Sequence, residues 1–200
     1  MDELTQIARE IAVCTACPLA RTRHKTVPGS GSPTARIMFI GEAPGYHEDQ
    51  QGKPFVGPAG QFLDELLRSI GLTRDEVFIA NVIKCRPPNN RDPLPGEIAA
   101  CAHFLDRQIA AIRPRMIVTL GRYSMAKFFP GESISRIHGR PRRQGGVIYY
   151  PVYHPAAALH QPALRRMIEE DFKKIPELLA SLDTMAEEPP AETATQLQLF

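Results

Sequence analysis

The sequence lacks four features that would assign it to a class at once. No apolar run in its 200 residues approaches the roughly 20 that cross a bilayer, so we expect no membrane-spanning helix. The net charge of +2 is too small to indicate a nucleic-acid partner by bulk charge alone. There is no internal repeat, and the opening MDELTQIARE is typical of an acidic helix rather than a signal peptide. We therefore expect a cytoplasmic protein.

The composition fits one compact domain. Hydrophobic residues make up 43% of the chain, which is enough to bury a large core without disulfide bonds. We place this domain at residues 1–182 and expect it to be monomeric. From Asp183 to Thr195 the chain consists largely of Glu, Pro, Ala and Thr without apolar periodicity, which indicates a disordered tail.

Apolar patterns divide the domain into alternating strands and helices. Short apolar runs predict strands at residues 37–40, 77–82, 116–120 and 147–152. Helices are predicted at residues 2–13, 62–70, 98–112, 124–129 and 164–179, with Pro- and Gly-rich loops at 18–35 and 84–95. The alternation implies parallel strands joined by right-handed crossovers. The predicted fold class is α/β, a three-layer α/β/α sandwich around a four-stranded parallel sheet.

The stretch at residues 37–60, IMFIGEAPGYHEDQQGKPFVGPAG, combines a buried strand with a glycine-rich turn. Gly41 ends the strand, and the turn that follows carries carboxylates at Glu42, Glu48 and Asp49, with an aromatic ring at Phe55. Ligands of open α/β sheets bind outside the carboxyl ends of the strands. The functional site should therefore lie here.

The four cysteines indicate a metal centre rather than disulfide bonds. Cys14 and Cys17 form a C-x2-C pair, whereas Cys85 lies in a predicted loop and Cys101 on a predicted helix. Thiols in a cytosolic chain usually remain reduced or bind metal. Structural zinc sites usually come as two close pairs, and iron–sulfur clusters tolerate irregular spacing, so the spacing alone leaves the metal open. Cys101 could also be a core thiol on the apolar face of its helix.

Four motifs occur in an order that resembles a known family. GEAPGYHED, GKPFVGPAG, NVIKCRPPNNRDP and YHPA together resemble the family 4 uracil-DNA glycosylases, the iron–sulfur branch of the uracil-DNA glycosylase superfamily. The resemblance spans roughly residues 14–179. It implies an enzyme of base excision repair that hydrolyses the N-glycosidic bond of uracil in DNA and leaves an abasic site. It also implies that Cys14, Cys17, Cys85 and Cys101 bind a structural [4Fe–4S] cluster.

The resemblance assigns a uracil-binding role to several of these residues. Phe55 offers an apolar face for stacking, and Asn81 offers a donor and an acceptor in one plane, which suit the O4 and N3–H of uracil. An asparagine at a strand end can also be an ordinary turn residue. The predicted uracil-binding set is Gly41, Glu42, Ala43, Phe55, Asn81 and His154.

Catalysis requires a group that stabilises the departing base. Negative charge develops at O2 of uracil as the C–N bond breaks, and His154 is the candidate donor, assisted by backbone N–H groups of residues 42–45. Ala43 stands where relatives in the wider superfamily carry a water-activating aspartate. We therefore assign catalysis to Glu42 and pocket closure or water positioning to Glu48, with Asn90 as a possible polar helper.

DNA contacts are expected on both sides of this site. Residues Pro155, Ala156, Ala157 and Leu159 resemble the family's intercalation loop, although a simple helix start would look the same. Arg86, Arg136 and Arg140 would bind phosphates, although they could equally form an ordinary solvated surface.

Two alternatives to this function remain open in the sequence. One is a non-catalytic iron–sulfur module of the same fold for DNA binding or electron transfer. The other is the superfamily branch that traps uracil-DNA covalently through a histidine, which Arg136-Ile137-His138-Gly139 superficially resembles. That segment lies after the third predicted strand, and the NNR loop carries no such insertion, so we expect no covalent adduct.

Residues 196–200, QLQLF, are not explained by the glycosylase resemblance. They resemble the short peptide that binds the bacterial β sliding clamp, with Gln196, Leu197, Leu199 and Phe200 as anchors and Gln198 at the variable position. A tail that folds back on its own domain, or an accidental apolar end, would look the same.

Overall fold

A computed structural model describes residues 2–186. Its strands are β1 Ser30–Gly31, β2 Ile37–Gly41, β3 Phe78–Asn81, β4 Met116–Leu120, β5 Arg142–Gln144 and β6 Val147–Val152. Its α-helices are α1 Glu3–Val13, α2 Tyr46–Gln51, α3 Pro58–Ser69, α4 Pro95–Ile112, α5 Arg122–Phe128, α6 Ile134–Ile137, α7 Pro155–Ala158, α8 Pro162–Lys173 and α9 Ile175–Ala186. Short 3₁₀ turns lie at Pro18–Arg21 and Pro88–Asn90.

The strands form one sheet in the order β1-β3-β2-β4-β6-β5. The four central strands are the predicted ones and are parallel. Short antiparallel strands, β1 and β5, extend the sheet at its two edges, so it has six strands rather than the predicted four. Strand β1 falls in the loop predicted at 18–35, and β5 falls where no element was predicted, because so few residues carry no apolar alternation.

Side chains of the central strands alternate between two apolar cores. On β2, Phe39 faces the core formed with α3, α8 and α9, whereas Ile40 faces the core formed with α1 and α4. Phe39 stacks on Phe172 of α8, with ring centroids 5.7 Å apart. Helices therefore cover both faces of the sheet, and the predicted α/β class is confirmed.

Several local features differ from the predicted elements. The helix predicted at residues 164–179 is divided at Lys174 into α8 and α9, and Pro176 lies in the first turn of α9, where its missing N–H costs little. Helix α9 continues to Ala186, past the predicted domain boundary at residue 182. The remainder of the predicted tail, including residues 196–200, lies outside the described residues.

The strand order reverses at β2. The chain goes from β2 to β3 on one side, and β4 pairs with β2 on the other side. Crossovers that leave in opposite directions open a crevice at the carboxyl ends of the strands. Within residues 2–186, no helix has the length and hydropathy to cross a membrane.

Candidate active site

A cavity of about 280 Å³ lies at this crevice. It lies at the carboxyl ends of the parallel strands: of its lining residues, Glu42 directly follows β2, Asn81 ends β3 and His154 lies just after β6. The cavity is lined by Glu42, Ala43, Pro44, Gly45, Glu48, Phe55, Ala59, Asn81, Pro87, Asn90, Arg91, Asp92, Pro93, His154 and Ala156. Most of the predicted catalytic and uracil-binding residues are thus brought together.

Asn81 lines this cavity and carries an unpaired, buried polar atom. The residue is 2% exposed, and its Oδ1 has no hydrogen-bond partner. A Cβ at Gly41 would lie 2.4 Å from this oxygen and 2.7 Å from the Phe55 ring, so only glycine fits at position 41. Leaving a buried acceptor unpaired costs about 1–3 kcal/mol, which a ligand with a suitable donor would recover.

The Phe55 ring is fixed by a strained and clamped turn. Its backbone has φ of 53°, in the left-handed region that a bulky residue rarely adopts. Arg74 donates to the carbonyl oxygens of Pro54, at 2.9 Å, and of Phe55. A Cβ at Gly60 would lie 1.8 Å from the Phe55 carbonyl oxygen, so α3 begins in close contact with this turn. The ring stacks on His154 with centroids 5.6 Å apart.

His154 has a defined tautomer when it is neutral. As N-cap of α7, it accepts a hydrogen bond at its Nδ1 from the backbone N–H of Ala156, at 3.1 Å. The ring proton of the neutral imidazole must therefore be on Nε2. Burial lowers the pKa of His154 to about 4, and the nearby Glu48 carboxylate only partly offsets this. Near neutral pH the side chain is thus an uncharged Nε2–H donor.

The half-buried carboxyl of Glu42 fits beside residue 121 only because that residue is a glycine. A Cβ at Gly121, where φ is 94°, would lie 2.4 Å from Glu42 Oε1. Burial raises the pKa of Glu42, while the backbone N–H of Tyr123, at 3.4 Å, and the Arg122 guanidinium act in the opposite direction. The carboxylate is therefore a stronger proton acceptor than an exposed glutamate.

Glu48 holds two parts of the cavity wall together. Its carboxylate accepts hydrogen bonds from the backbone N–H groups of Gly45, Val56 and Gly57, at 3.1, 2.9 and 2.9 Å. These bonds join the start of α2 to the turn that carries Phe55. Three such bonds occupy most of the accepting capacity of one carboxylate.

Some of the residues predicted to contact DNA lie at the rim of the cavity. Asn90 accepts a hydrogen bond from Arg86 Nε at 2.7 Å, and the Arg86 guanidinium lies 5.2 Å from the centroid of the exposed Tyr46 ring. Arg136 and Arg140 are exposed and do not line the cavity.

The predicted intercalation segment is a short helix. Pro155 is the first residue of α7, and Leu159, immediately after α7, is 44% exposed. Of the segment, Ala156 lines the cavity. The simple helix start described above as the alternative is therefore present, together with an exposed leucine at its end.

A family model described as the uracil DNA glycosylase superfamily matches residues 28–180. The chain belongs to the uracil-DNA glycosylase superfamily. Its relatives include curated type-4 uracil-DNA glycosylases from Sulfurisphaera tokodaii, 52% identical over 89% of this chain and 86% of the relative, and Saccharolobus solfataricus, 49% identical over 90% and 88%. A third, from Thermotoga maritima, is 47% identical over 86% of this chain and 93% of the relative.

In this superfamily member the four cysteines meet at a second cavity. Cys14, Cys17, Cys85 and Cys101 all line it, and none is in a disulfide. Within residues 2–186, no three Cys, His, Asp or Glu side chains are grouped closely enough to hold a single metal ion. Four thiols around a shared space are soft donors of the kind that hold iron–sulfur clusters.

The surroundings of the cysteines are mostly apolar, with two cationic side chains, Arg23 and Lys84. Burial raises the pKa of Cys101 to about 11 and also raises that of Cys85, so metal binding would displace thiol protons. Arg23 donates to Cys85 Sγ at 3.4 Å and to the Cys14 carbonyl oxygen at 2.7 Å, and thereby joins the two halves of the ligand set.

His138, the candidate for covalent trapping, is held away from the cavity. Its Nδ1 lies 2.7 Å from Asp171 Oδ2, and the centroids of the His138 and Tyr153 rings are 4.8 Å apart. It does not line the base cavity.

The sequence analysis missed three residues that shape the site. Gly121 ends the apolar run of its strand as Gly41 does, and that strand-end signal could have identified it. Arg74 and Gly60 act on Phe55 from behind the cavity, and no local pattern distinguishes them from other surface arginines and helix glycines.

Proposed function

We propose that the protein is a monofunctional uracil-DNA glycosylase of the type-4 class, which hydrolyses the N-glycosidic bond of uracil in DNA. It would release free uracil, leave an abasic site and so initiate repair of deaminated cytosine. The observation that carries the proposal is the unpaired, buried Oδ1 of Asn81, a residue that lines the same cavity as the stacked Phe55 and His154 rings.

Base recognition follows from these groups. Because the glycosidic bond is inaccessible in the stack, the nucleotide must be flipped out of the DNA. Phe55 would stack on the base, Asn81 Oδ1 would accept from N3–H, and Asn81 Nδ2 would donate to O4. Cytosine presents an acceptor at N3 and a donor at N4, so it would leave this pairing unsatisfied. Gly41 and Ala43 keep the surrounding wall small.

Bond cleavage would draw on His154 and Glu42. The Nε2–H of neutral His154 would donate to O2 as negative charge develops there, and this contact strengthens in the transition state. Glu42 would accept a proton from the attacking water or stabilise the cation-like sugar. We assign pocket closure to Glu48, because its carboxylate is already bonded to three backbone N–H groups. Asn90 would act as a polar helper at the rim.

Cleavage of a uracil-containing oligonucleotide tests the proposal. The purified protein should convert it to an abasic product that breaks in alkali, while a matched thymine oligonucleotide stays intact. The alternative, a non-catalytic iron–sulfur module for DNA binding or electron transfer, would leave the uracil strand unbroken after the same treatment.

We further propose that the four cysteines bind a [4Fe–4S] cluster. The cluster would clamp residues 14–23 and the Pro-rich loop after Cys85 onto the domain, a structural role that requires no part in the hydrolysis. Support comes from the shared cavity and from the soft thiolate donor set.

Elemental analysis of protein purified without oxygen should find about four irons and four acid-labile sulfides per chain, with a brown colour. Replacing Cys101 with serine should lower the iron content and the melting temperature together. Stoichiometric zinc with no iron in the unmodified protein would contradict the proposed cluster.

The DNA substrate would contact the rim of the base cavity. Arg86 would bind phosphate near Asn90, while Arg136 and Arg140 would extend the contact farther along the backbone. Pro155, Ala156, Ala157 and Leu159 would fill the space that the flipped base vacates. We propose that the protein acts as a monomer. A DNA substrate also fits the expected cytoplasmic location.

Residues 196–200 would bind the bacterial β sliding clamp through Gln196, Leu197, Leu199 and Phe200. This part of the proposal rests on the sequence QLQLF. Attachment to the clamp would raise the local concentration of the enzyme at newly synthesised DNA.

Deleting residues 196–200 should abolish clamp binding in a calorimetric titration and leave excision from short oligonucleotides unchanged. The change Gln198→Asp, at the variable position of the motif, is the matched control and should preserve binding. Binding that survives the deletion, or that is absent with the full chain, would exclude this role.

A further inference from the structure

Lys84 is buried directly behind the base cavity. The residue is 1% exposed, and its Nζ donates to the backbone carbonyl oxygen of Asn81 at 2.8 Å and to Gln108 Oε1 at 2.7 Å. Gln108 in turn donates to the Pro28 carbonyl oxygen at 2.7 Å. Among the described side chains, no carboxylate lies within ion-pair distance of Lys84.

This placement is costly, which argues for a specific task. Burying an amine without a carboxylate partner carries a desolvation cost, and ordering a long side chain adds to it. An apolar side chain such as methionine would fill the same space between β3 and α4 without the desolvation cost. The polar end of Lys84 is therefore needed for the atoms that it contacts.

The carbonyl of Asn81 is the contact with a functional consequence. Asn81 is the last residue of β3, and β1 pairs only with Phe78 and Ile79, so it does not reach Asn81. On the other side, β2 pairs with Asn81 through Gly41. Lys84 thus supplies a hydrogen bond where the neighbouring strand has ended. Fixing the peptide plane of Asn81 also fixes the direction in which its carboxamide leaves the backbone.

We infer that Lys84 is a positioning residue, which holds Asn81 in register with the flipped base through the Asn81 carbonyl. The inference rests on the proposed function, because it assigns Lys84 a role in uracil recognition by that site. Lys84 also lines the cysteine cavity and immediately precedes Cys85, so the same side chain joins the two sites. An ordered cysteine segment would thereby help to hold the Asn81 carboxamide in the position that contacts the base.

A double-mutant cycle tests this role. Lys84→Met keeps the length of the side chain and removes both hydrogen bonds. In single-turnover excision from a single-stranded uracil oligonucleotide, it should lower the rate about 10-fold or more, because small displacements of a recognition group are costly. In the Asn81→Ala background the same change should lower the rate less than about 2-fold, since Lys84 then has no carboxamide to position.

Three measurements separate positioning from loss of structure. In Lys84→Met, iron content and affinity for an abasic-site oligonucleotide should match the unmodified protein, and the melting temperature should fall but stay above the assay temperature, because two buried acceptors lose their donor. The control Lys173→Met, at an exposed lysine that ends α8, should excise at the normal rate. A normal rate in Lys84→Met, or an equal loss in both backgrounds, would overturn the inference.

A second variant covers the case in which Lys84→Met does not fold or loses iron. Gln108→Leu removes the other acceptor of the Lys84 amine. In the same double-mutant cycle, it should lower the excision rate when Asn81 is present and lower it much less in the Asn81→Ala background. An additive loss there would count against positioning. An unmodified protein that leaves the oligonucleotide intact would instead refute the proposed function itself.

Discussion

Replacing His154 with alanine should slow single-turnover excision of uracil by about 10²-fold or more, while affinity for DNA changes little. The expected loss is that of one donor to a developing oxyanion, for which 10²–10³ in rate is typical. His160→Ala is the matched control, because that histidine is exposed and lies just beyond α7 in the same segment. A His154 variant that excises at a near-normal rate would remove this residue from the chemistry.

The pH dependence provides a second test of the same donor. With a pKa of about 4, well below the ordinary value of 6.5, His154 stays neutral down to about pH 5. Protonation of this ring should therefore not lower the excision rate between pH 8 and pH 5. The unfolded chain binds this proton below about pH 6.5 and the folded chain does not until about pH 4, so stability should fall as the pH falls through that window. His154→Ala should weaken this trend.

Replacing Glu42 with glutamine should also lower excision by about 10²-fold or more, the range expected when a general base or a nearby negative charge is lost. Glutamine keeps the shape of the side chain and can still accept from the backbone N–H of Tyr123, so the fold should persist. Single-turnover rates measure the effect, and Glu170→Gln, at an exposed position on α8, serves as the control.

Because the pKa of Glu42 is raised, the excision rate should also depend on pH in a defined direction. Excision by the unmodified protein should decline as the pH falls through a value above the usual 4.5, because the carboxylate is then protonated. That acid limb should be missing from the residual activity of Glu42→Gln. Its persistence in the variant would point to a different titrating group.

The sequence alone could predict much of the fold and the main groups of the site. Short apolar runs identified the four parallel strands. The rule that ligands bind at strand ends placed the site after Gly41, and the family resemblance led to Asn81 and His154. Strands β1 and β5 were missed because their few residues form no apolar pattern. Their pairing depends on neighbours that are distant in the chain.

Distances within the site could not be predicted in the same way. The tautomer of His154 depends on a hydrogen bond from Ala156, and the role of Glu48 depends on three backbone N–H groups in two segments. Such contacts are set by how the turns pack against each other. The sequence shows which residue types are present, but it does not show which of their atoms are already bonded.

Because the turn at Phe55 is clamped by residues outside the cavity, substitutions at those residues should impair the site as well. Neither Gly60 nor Arg74 lines the cavity, yet each contacts the backbone that sets the angle of the ring. A side chain at position 60 or a neutral residue at position 74 would tilt the ring without removing any group that touches the base. Variants of this enzyme found in genome surveys should therefore be judged at these two positions as strictly as at Phe55 itself.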